Sequence, residues 1–471
     1  HQLVITMWKL TVVATLLVAA CGLAMAEEEN PCAATGQTPY DYQQALCMSI
    51  LFYEVQRSGE LPDDMRITWR ADSAMDDGSD NGVDLLGGYY DAGDNVKFGY
   101  PMAYSMTVLG WGLISYRDGY ETAGQVEYAE AAIRWGTDYF MKALVAPTTF
   151  YGQVGDGNVD HSYWGRPEDM TMFRPSFKID SSNGGSDLAG ETAAALAAAS
   201  IVFQDSDPDY SAQCLEAART LFDFADKYRR TYTDGISNAG GFYPSYSGFG
   251  DELAWGAVWM YKATGESQYE TKARGFWNEF NIGYGSDRFD WDNKYAGAMT
   301  LYSEEFGDST YTSALTKFMT GIRNEQQTPG GMVYIDTWGS LRHAMNVAFI
   351  GFKVADLGID VEANRAFSAQ QVDYALGSVG HSYMVGFGVN PPERPHHRGS
   401  SCPPLGTPCD ANTAQNQDGP NPNTLWGAIV GGPDQNDYYA DDRLDYVHNE
   451  VTCDYNAALT GALAAMVMQN S

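Results

Sequence analysis

Basic residues are scarce in this chain: 28 Lys and Arg stand against 61 Asp and Glu among 471 residues, a formal charge of −33. Such a surface repels nucleic-acid phosphates and anionic membranes, so neither is an expected partner. Long apolar runs are missing too. The run Leu10 to Leu23 is shorter than the roughly 20 residues a membrane-spanning helix needs, and no later segment reaches that length. Cysteine is sparse, at seven residues, and no Cys/His spacing completes a zinc site. Asn-x-Ser/Thr sequons are absent, so glycosylation offers no support for an extracellular setting. Pro/Ser repeats and charge runs after residue 40 are absent, as is any repeat of 20–50 residues, which argues against inter-domain linkers and solenoids.

Some features are present in excess. Aromatic residues make up 13%, with 31 Tyr and 11 Trp, more than a core needs. That surplus suits a groove that stacks flat, uncharged rings. At the start, Lys9 precedes the apolar run, and Ala24-Met25-Ala26 offers a small-x-small cleavage pattern. Residues 1–26 therefore read as a leader and secretory signal peptide, with His1 to Thr6 ahead of Met7 outside the natural start. Secretion is expected, with no membrane association after cleavage. Loss of Cys21 with the signal leaves six cysteines, an even number that permits disulfides. Cys402 and Cys409, bracketing a Pro/Gly loop, are the first expected pair. Cys214, in a helical pattern, is a candidate free thiol.

Apolar residues recur at helical spacing, and alternating β-branched runs are lacking, so the chain reads as all-α. Twelve helical segments are expected, over 41–59, 100–120, 125–144, 186–203, 214–230, 251–266, 268–280, 296–307, 311–324, 341–358, 362–378 and 451–468. Long Gly, Asp, Asn and Pro stretches separate some of them, notably 71–99, 145–185, 231–250 and 379–450. Loops that long usually carry function. Alternating short and long connections suit an (α/α)6 barrel of six helix pairs with the long loops at one face, the alternative being two smaller bundles. A short N-terminal segment, 27–37, is expected to precede one catalytic domain over 38–471.

Candidate chemistry lies in those loops. Gly88-Tyr89-Tyr90-Asp91-Ala92-Gly93-Asp94-Asn95 places two aspartates three apart in a glycine-hinged loop before a helix. Two close carboxylates can share one water, one removing its proton while the other holds it in line. Aspartates in such loops also serve as turn residues and caps, so a partner acid is needed. Glu450 is the candidate, within Tyr439-Ala440-Asp441-Asp442-Arg443-Leu444-Asp445-Tyr446-Val447-His448-Asn449-Glu450-Val451-Thr452 at the end of the longest loop. A place near a helix N-terminus would favour its ionised form, against the needs of a general acid. Asp441, Asp445 and the loop aspartates could oppose that by like-charge repulsion. Capping of the last helix is the alternative role for Glu450.

Together these segments resemble glycoside hydrolase family 9, the cellulases with a barrel of six helix pairs. Asp91-Ala92-Gly93-Asp94 is similar to the family's base loop, and Tyr439 through Asp441, Tyr446, Glu450 and Thr452 to Asn456-Ala457 is similar to its acid signature. Ser382-Tyr383-Met384-Val385-Gly386 through Asn390 to Pro395-His396-His397-Arg398 is similar to its histidine/arginine signature. The resemblance implies that Asp94 is the general base, that Asp91 helps bind the attacking water, that Glu450 is the proton donor and that Asp441 tunes it. It implies a secreted endo-β-1,4-glucanase that inverts configuration and uses no organic cofactor. His396 and Arg398 would donate hydrogen bonds to sugar hydroxyls beside the cleaved bond, with His397 facing away. His161 and Trp164 lie in a segment similar to the family's substrate-side loop. Tyr243, Trp291, Trp338 and Tyr455 resemble cleft-lining aromatics, with core packing as the alternative for each.

Ser247, Gly248, Asp251, Glu252 and Asp292 offer hydroxyl, carbonyl and carboxylate oxygens of the kind calcium prefers. Some family members hold a structural calcium at the corresponding segment, so a calcium ion is expected there. Preference of Asp251 and Glu252 for the first turn of a helix is the alternative. The expected partner is a β-1,4-glucan and the expected state a monomer. Another β-linked polymer such as chitosan oligomers, or binding without turnover, are the rival readings.

Overall fold

In this computed structural model, which describes residues 29–284 and 286–470, three of the long helices begin at a side-chain cap. The reading of residues 1–26 as a leader and signal lies outside the described residues. The first long helix, α1 (Tyr42–Val55), starts at Asp41, whose carboxylate accepts the Gln44 N–H. Eleven further long helices follow among the described residues: α2 (Gly99–Ser115), α3 (Val126–Ala143), α4 (Ser186–Val202), α5 (Pro208–Lys227) and α6 (Gly250–Thr264). The rest are α7 (Ser267–Glu279), α8 (Tyr295–Phe306), α9 (Ser309–Arg323), α10 (Ser340–Asp356), α11 (Val361–Leu376) and α12 (Cys453–Gln469). Each expected segment has its helix. The largest shift is at α5, which starts at Pro208 because Asp207 caps it and proline suits a first helical position.

Burial sorts the helices into two layers. α2, α4 and α12 are buried on nearly every side, whereas α3, α5 and α9 bury one face. The inner helices touch in a closed ring, α2–α4–α6–α8–α10–α12–α2, and each packs on an outer neighbour. The result is a barrel of six helix pairs. Trp111 of α2, Trp255 and Trp259 of α6 and Phe349 of α10 meet edge to face across its interior. Where α2 and α12 close the ring the backbones nearly touch: a Cβ at Gly112 would stand 2.9 Å from the Gly461 Cα.

Loops from an inner helix to the next outer one are short, while those from outer to inner are long. All the long loops therefore gather at the end where inner helices begin. Two of them, 56–98 and 144–185, contribute strands to a small antiparallel sheet that helical periodicity did not reveal. Its central strand, β3 (Thr149–Val154), pairs with β4 (Ser176–Asp180), with β1 (Lys97–Phe98) and with β2 (Leu144–Ala146). Disulfides join Cys402 to Cys409, as expected, and Cys32 to Cys47, which ties the segment before α1 to that helix; Cys214 and Cys453 are free and buried. No helix among the described residues is long and apolar enough to cross a membrane.

The ring closure yields a test. A valine at Gly461 would drive its Cβ to 2.6 Å from the Phe349 ring of α10 and 3.2 Å from the Gly112 Cα of α2, so Gly461→Val should cost about 1–3 kcal/mol and lower the melting temperature. An unchanged melt would show that α2 and α12 are not so tightly joined.

Candidate active site

Three segments distant in sequence are stitched together at the mouth of the barrel. The Arg398 N–H donates to the Gly93 carbonyl at 3.0 Å, the Cys453 N–H to the Asp91 carbonyl at 2.9 Å, and the His396 N–H to the Asn449 carbonyl at 2.9 Å. Gln56 Nε2 holds the Ala92 carbonyl at 2.7 Å from below. Gly93 has to be glycine, since a Cβ there would lie 2.0 Å from the His396 carbonyl oxygen. This platform displays Asp91, Asp94, His396, Arg398 and Glu450 together.

Asp91 and Asp94 are each only 6% exposed. Asp94 accepts the Ala92 N–H (3.2 Å) and the Val96 N–H (3.4 Å). Asp91 accepts a short hydrogen bond from the Tyr243 hydroxyl. Burial pushes both carboxyls above the usual range, and their neighbours separate them. Asp91 is driven far up by burial and by Asp94, Asp454 and Glu450, although Tyr243 opposes this. Asp94, raised by burial and Asp160, is drawn back by His161 and Arg398, so it ionises first.

Glu450 does not cap the last helix. It ends the short helix Tyr446–Asn449 in extended backbone, and α12 is capped by Thr452, whose Oγ1 accepts the Tyr455 N–H at 3.1 Å. The expected conflict with the helix dipole is thereby eased. Burial and then Asp94 push its carboxyl up to about 8, opposed by the Trp338 Nε1–H at 3.4 Å. Like-charge repulsion comes from Asp94 and Asp454, not from Asp441 or Asp445. Asp441 instead accepts the backbone N–H groups of Glu393 (2.8 Å) and Arg394 (3.0 Å), holding the chain just before His396. Asp445 caps the helix ahead of Glu450.

His396 and His397 face opposite ways, as alternation requires. The buried His397 ring bridges Gln56 Oε1 (2.9 Å) and the Ser400 N–H (3.0 Å). His396 Nδ1 lies 2.6 Å from the Arg443 carbonyl, which only accepts, so Nδ1 carries the proton. Burial lowers this ring to about 4, and the neutral imidazole offers Nε2 as an acceptor. The expectation of His396 as a donor to sugar is corrected accordingly. Arg398 is paired with buried Asp160, which also accepts the Asn95 N–H at 3.2 Å. Asp160 was missed in the sequence, although it stands beside His161. His161 itself is exposed and stacks on Phe242 at 4.8 Å.

The aromatic residues divide by exposure. Trp338 is 46% exposed and lies 5.4 Å from the exposed Tyr446, forming a platform beside Glu450. Trp164, Trp291 and Tyr455 are buried in the wall. Trp164 donates its N–H to Ser401 Oγ (3.0 Å) and buttresses His396 edge-on, and Trp291 packs on Tyr243 at 4.8 Å. Tyr455, 1% exposed, lies under Arg342, which pairs with Asp454 at 3.4 Å. Neither Arg342 nor Asp454 was signalled in the sequence. Beyond Trp291 lies a cavity of about 330 Å³ lined by Tyr246, Ser247, Asp292, Arg342 and others.

Among the expected calcium residues, Asp292 accepts the Tyr246 N–H at 2.8 Å and Ser247 Oγ donates to the Asp292 carbonyl at 2.7 Å. Asp251 accepts the Lys294 N–H at 2.8 Å, and Glu252 accepts the Tyr100 hydroxyl at 2.6 Å and faces the Lys294 ammonium at 3.3 Å. Asp251 Oδ1 and Glu252 Oε2 are buried without a partner. These orphaned oxygens fit a hard cation, although Lys294 already supplies one positive charge.

Glu450 links the site to stability. A carboxyl raised from 4.5 to about 8 makes the native state bind more protons than the unfolded chain between those values, so stability falls as pH rises through them. Glu450→Gln removes that loss. Its melting temperature relative to the parent should therefore climb by a few degrees between about pH 5 and about pH 8. A constant difference would mean that Glu450 titrates normally.

The chain matches Glycosyl hydrolase family 9 over residues 42–463. It is 45% identical to Endoglucanase A of Bacillus pumilus over 448 residues, covering 91% of this chain and 66% of that protein. It is 43% identical to an endoglucanase of Phaseolus vulgaris, covering 95% of each. The chain spans 42% of the Cellulomonas fimi Endoglucanase B, which it matches at 44% identity over 91% of its own length. The structure of an endoglucanase from the termite Nasutitermes takasagoensis superposes with a TM-score of 0.91 at 53% identity, over 92% of this chain and all of that one. With the barrel, the stitched loops and these matches together, the chain is a glycoside hydrolase and belongs to glycosyl hydrolase family 9.

Proposed function

We propose that the chain is a secreted endoglucanase that hydrolyses internal β-1,4-glucosidic bonds of cellulose and soluble β-glucans with inversion. The observation that carries this reading is the stitching of Asp91, Asp94 and Glu450 onto one platform, where burial pushes Glu450 up to about 8 and raises Asp91 further than Asp94. Pairs of carboxyls pushed apart in this way divide acid and base work between them. Glu450 gives its proton to the glycosidic oxygen as the bond to the anomeric carbon breaks. Water, held by Asp91, attacks the opposite face while Asp94 takes its proton, so one water is consumed and the anomer inverts. Tyr243 steadies Asp91. Trp338 with Tyr446 stacks a sugar, while His396, Arg398 and His161 bind hydroxyls. Endoglucanase CelQ of Clostridium thermocellum, 38% identical with a TM-score of 0.81 over 91% of this chain and 70% of that one, was solved with cellobiose and cellotriose, which supports a β-1,4-glucan as substrate. Residues 1–26 would direct export.

Incubation with carboxymethylcellulose should give a rapid fall in viscosity and α-anomeric reducing ends; β-anomer would refute inversion. Asp94→Asn should bind cello-oligosaccharides normally while hydrolysis falls about 10²–10⁴-fold. Unchanged hydrolysis would remove Asp94 from the role of base.

Ser247, Gly248, Asp251, Glu252 and Asp292 would hold a structural calcium ion, completing the shells of the orphaned oxygens on Asp251 and Glu252. Chelation should lower the melting temperature by several degrees, restored by added calcium. An unchanged midpoint would dispose of the ion.

A further inference from the structure

Beside the base lies a buried carboxyl oxygen, Asp160 Oδ2, that the hydrolytic reading leaves unused. Asp94, Asp160 and His161 each bring one ligand atom into a cluster whose members all lie within 4.8 Å of one another. Asp160 is 1% exposed. Its Oδ1 takes Arg398 Nη1 and the Asn95 N–H, but its Oδ2 is buried without any partner. His161 is set up as a ligand by its own backbone contact. Nδ1 lies 2.6 Å from the Gly157 carbonyl, which cannot donate, so the proton sits on Nδ1 and the lone pair on Nε2. A backbone carbonyl holding the far nitrogen is the usual support of a metal-bound histidine. The ring stacks on Phe242 and is open to solvent.

We propose that Asp94, Asp160 and His161 form an inhibitory site for a divalent transition-metal ion, zinc being the representative. Two carboxylates against the paired guanidinium of Arg398 leave the cluster negative, since Arg174, the other guanidinium near Asp160, is already paired with Asp77. One imidazole with two oxygens suits zinc or copper better than calcium or magnesium. Bound zinc stands about 2.0–2.2 Å from such ligands, so two of them lie at most about 4 Å apart. Closing the present spread of up to 4.8 Å needs a shift of about 1 Å among the three side chains. The ion occupies the lone pairs with which Asp94 takes a proton from water and the free Nε2 lone pair of His161. Metal and glucan therefore exclude each other. The inhibition rests on Asp94 being the base; the binding does not.

The test is calorimetric titration of zinc chloride into the enzyme saturated with calcium, alongside hydrolysis assays. The parent should show one site that His161→Gln weakens at least about tenfold, while His381→Gln, remote from the cluster, leaves it intact. Asp160→Asn should weaken it as well, but the exposed position of His161 makes His161→Gln the variant free of folding effects. Zinc should inhibit the parent reversibly, with relief by chelator and by excess cello-oligosaccharide. Equal zinc affinity in the parent and His161→Gln would overturn the site. Stoichiometric zinc with full activity would overturn the inhibition, whereas failure of the base assignment shows separately, as normal hydrolysis by Asp94→Asn.

Discussion

The site depends on a few backbone hydrogen bonds, those of Arg398 to Gly93, Cys453 to Asp91 and His396 to Asn449. They join a loop near residue 91 to segments about 300 and 360 positions further along the chain. A general acid and base act only when held in register across the scissile bond, and a misplacement of about 1 Å can cost about a hundredfold in rate. Main-chain contacts provide that register without committing side chains, which stay free for chemistry. Gly93 is the weak point of the arrangement, because any Cβ would force the base loop off the His396 carbonyl.

The barrel explains why so much acid is buried at one end. Inner helices all begin at the mouth, and their first turns carry Asp187, Asp251, Glu252 and Asp454. Helix N-termini favour negative charge there. What happens to each carboxyl depends on its partner. Asp77 is as buried as Asp91, and burial alone would raise it, but Lys97 at 2.7 Å and Arg174 at 2.8 Å outweigh that and hold it below the usual range. Asp91 and Glu450 have no cation of their own, and both are driven up. Where paired cations outweigh burial, as at Asp77, the carboxyl stays charged; where they do not, as at Asp91 and Glu450, it is driven toward its protonated form.

The sequence revealed what is local and concealed what is tertiary. Helical periodicity located all twelve long helices, since each must bury a stripe or a whole surface, and the alternation of short and long loops carried the barrel. The sheet of β1 to β4 escaped because β1 has two residues and β2 three. Catalytic candidates stood out because glycine-hinged loops with paired aspartates are compact motifs. Exposure of an aromatic residue is not a local property. Trp338 faces the cleft and Trp164 does not, though nothing in their flanking residues distinguishes them. Asp441 and Asp454 make the same point: the first looked like a modulator of the acid yet anchors Glu393 and Arg394, while the second, within the first turn of α12, adds charge beside Glu450.

The histidines at the site complete the division of labour. His397 is lowered to about 3 and His396 to about 4, in both cases chiefly by burial. Each has its tautomer fixed by neighbours, His396 by the Arg443 carbonyl and His397 by the Ser400 N–H. Neither changes charge over the range in which Asp94 and Glu450 exchange protons. The polar contacts that His396 offers an uncharged sugar therefore stay constant while the carboxyls titrate. A glucan cleft built this way separates recognition by His396 from proton transfer, and the pH dependence of turnover reports the carboxyls and not His396 or His397.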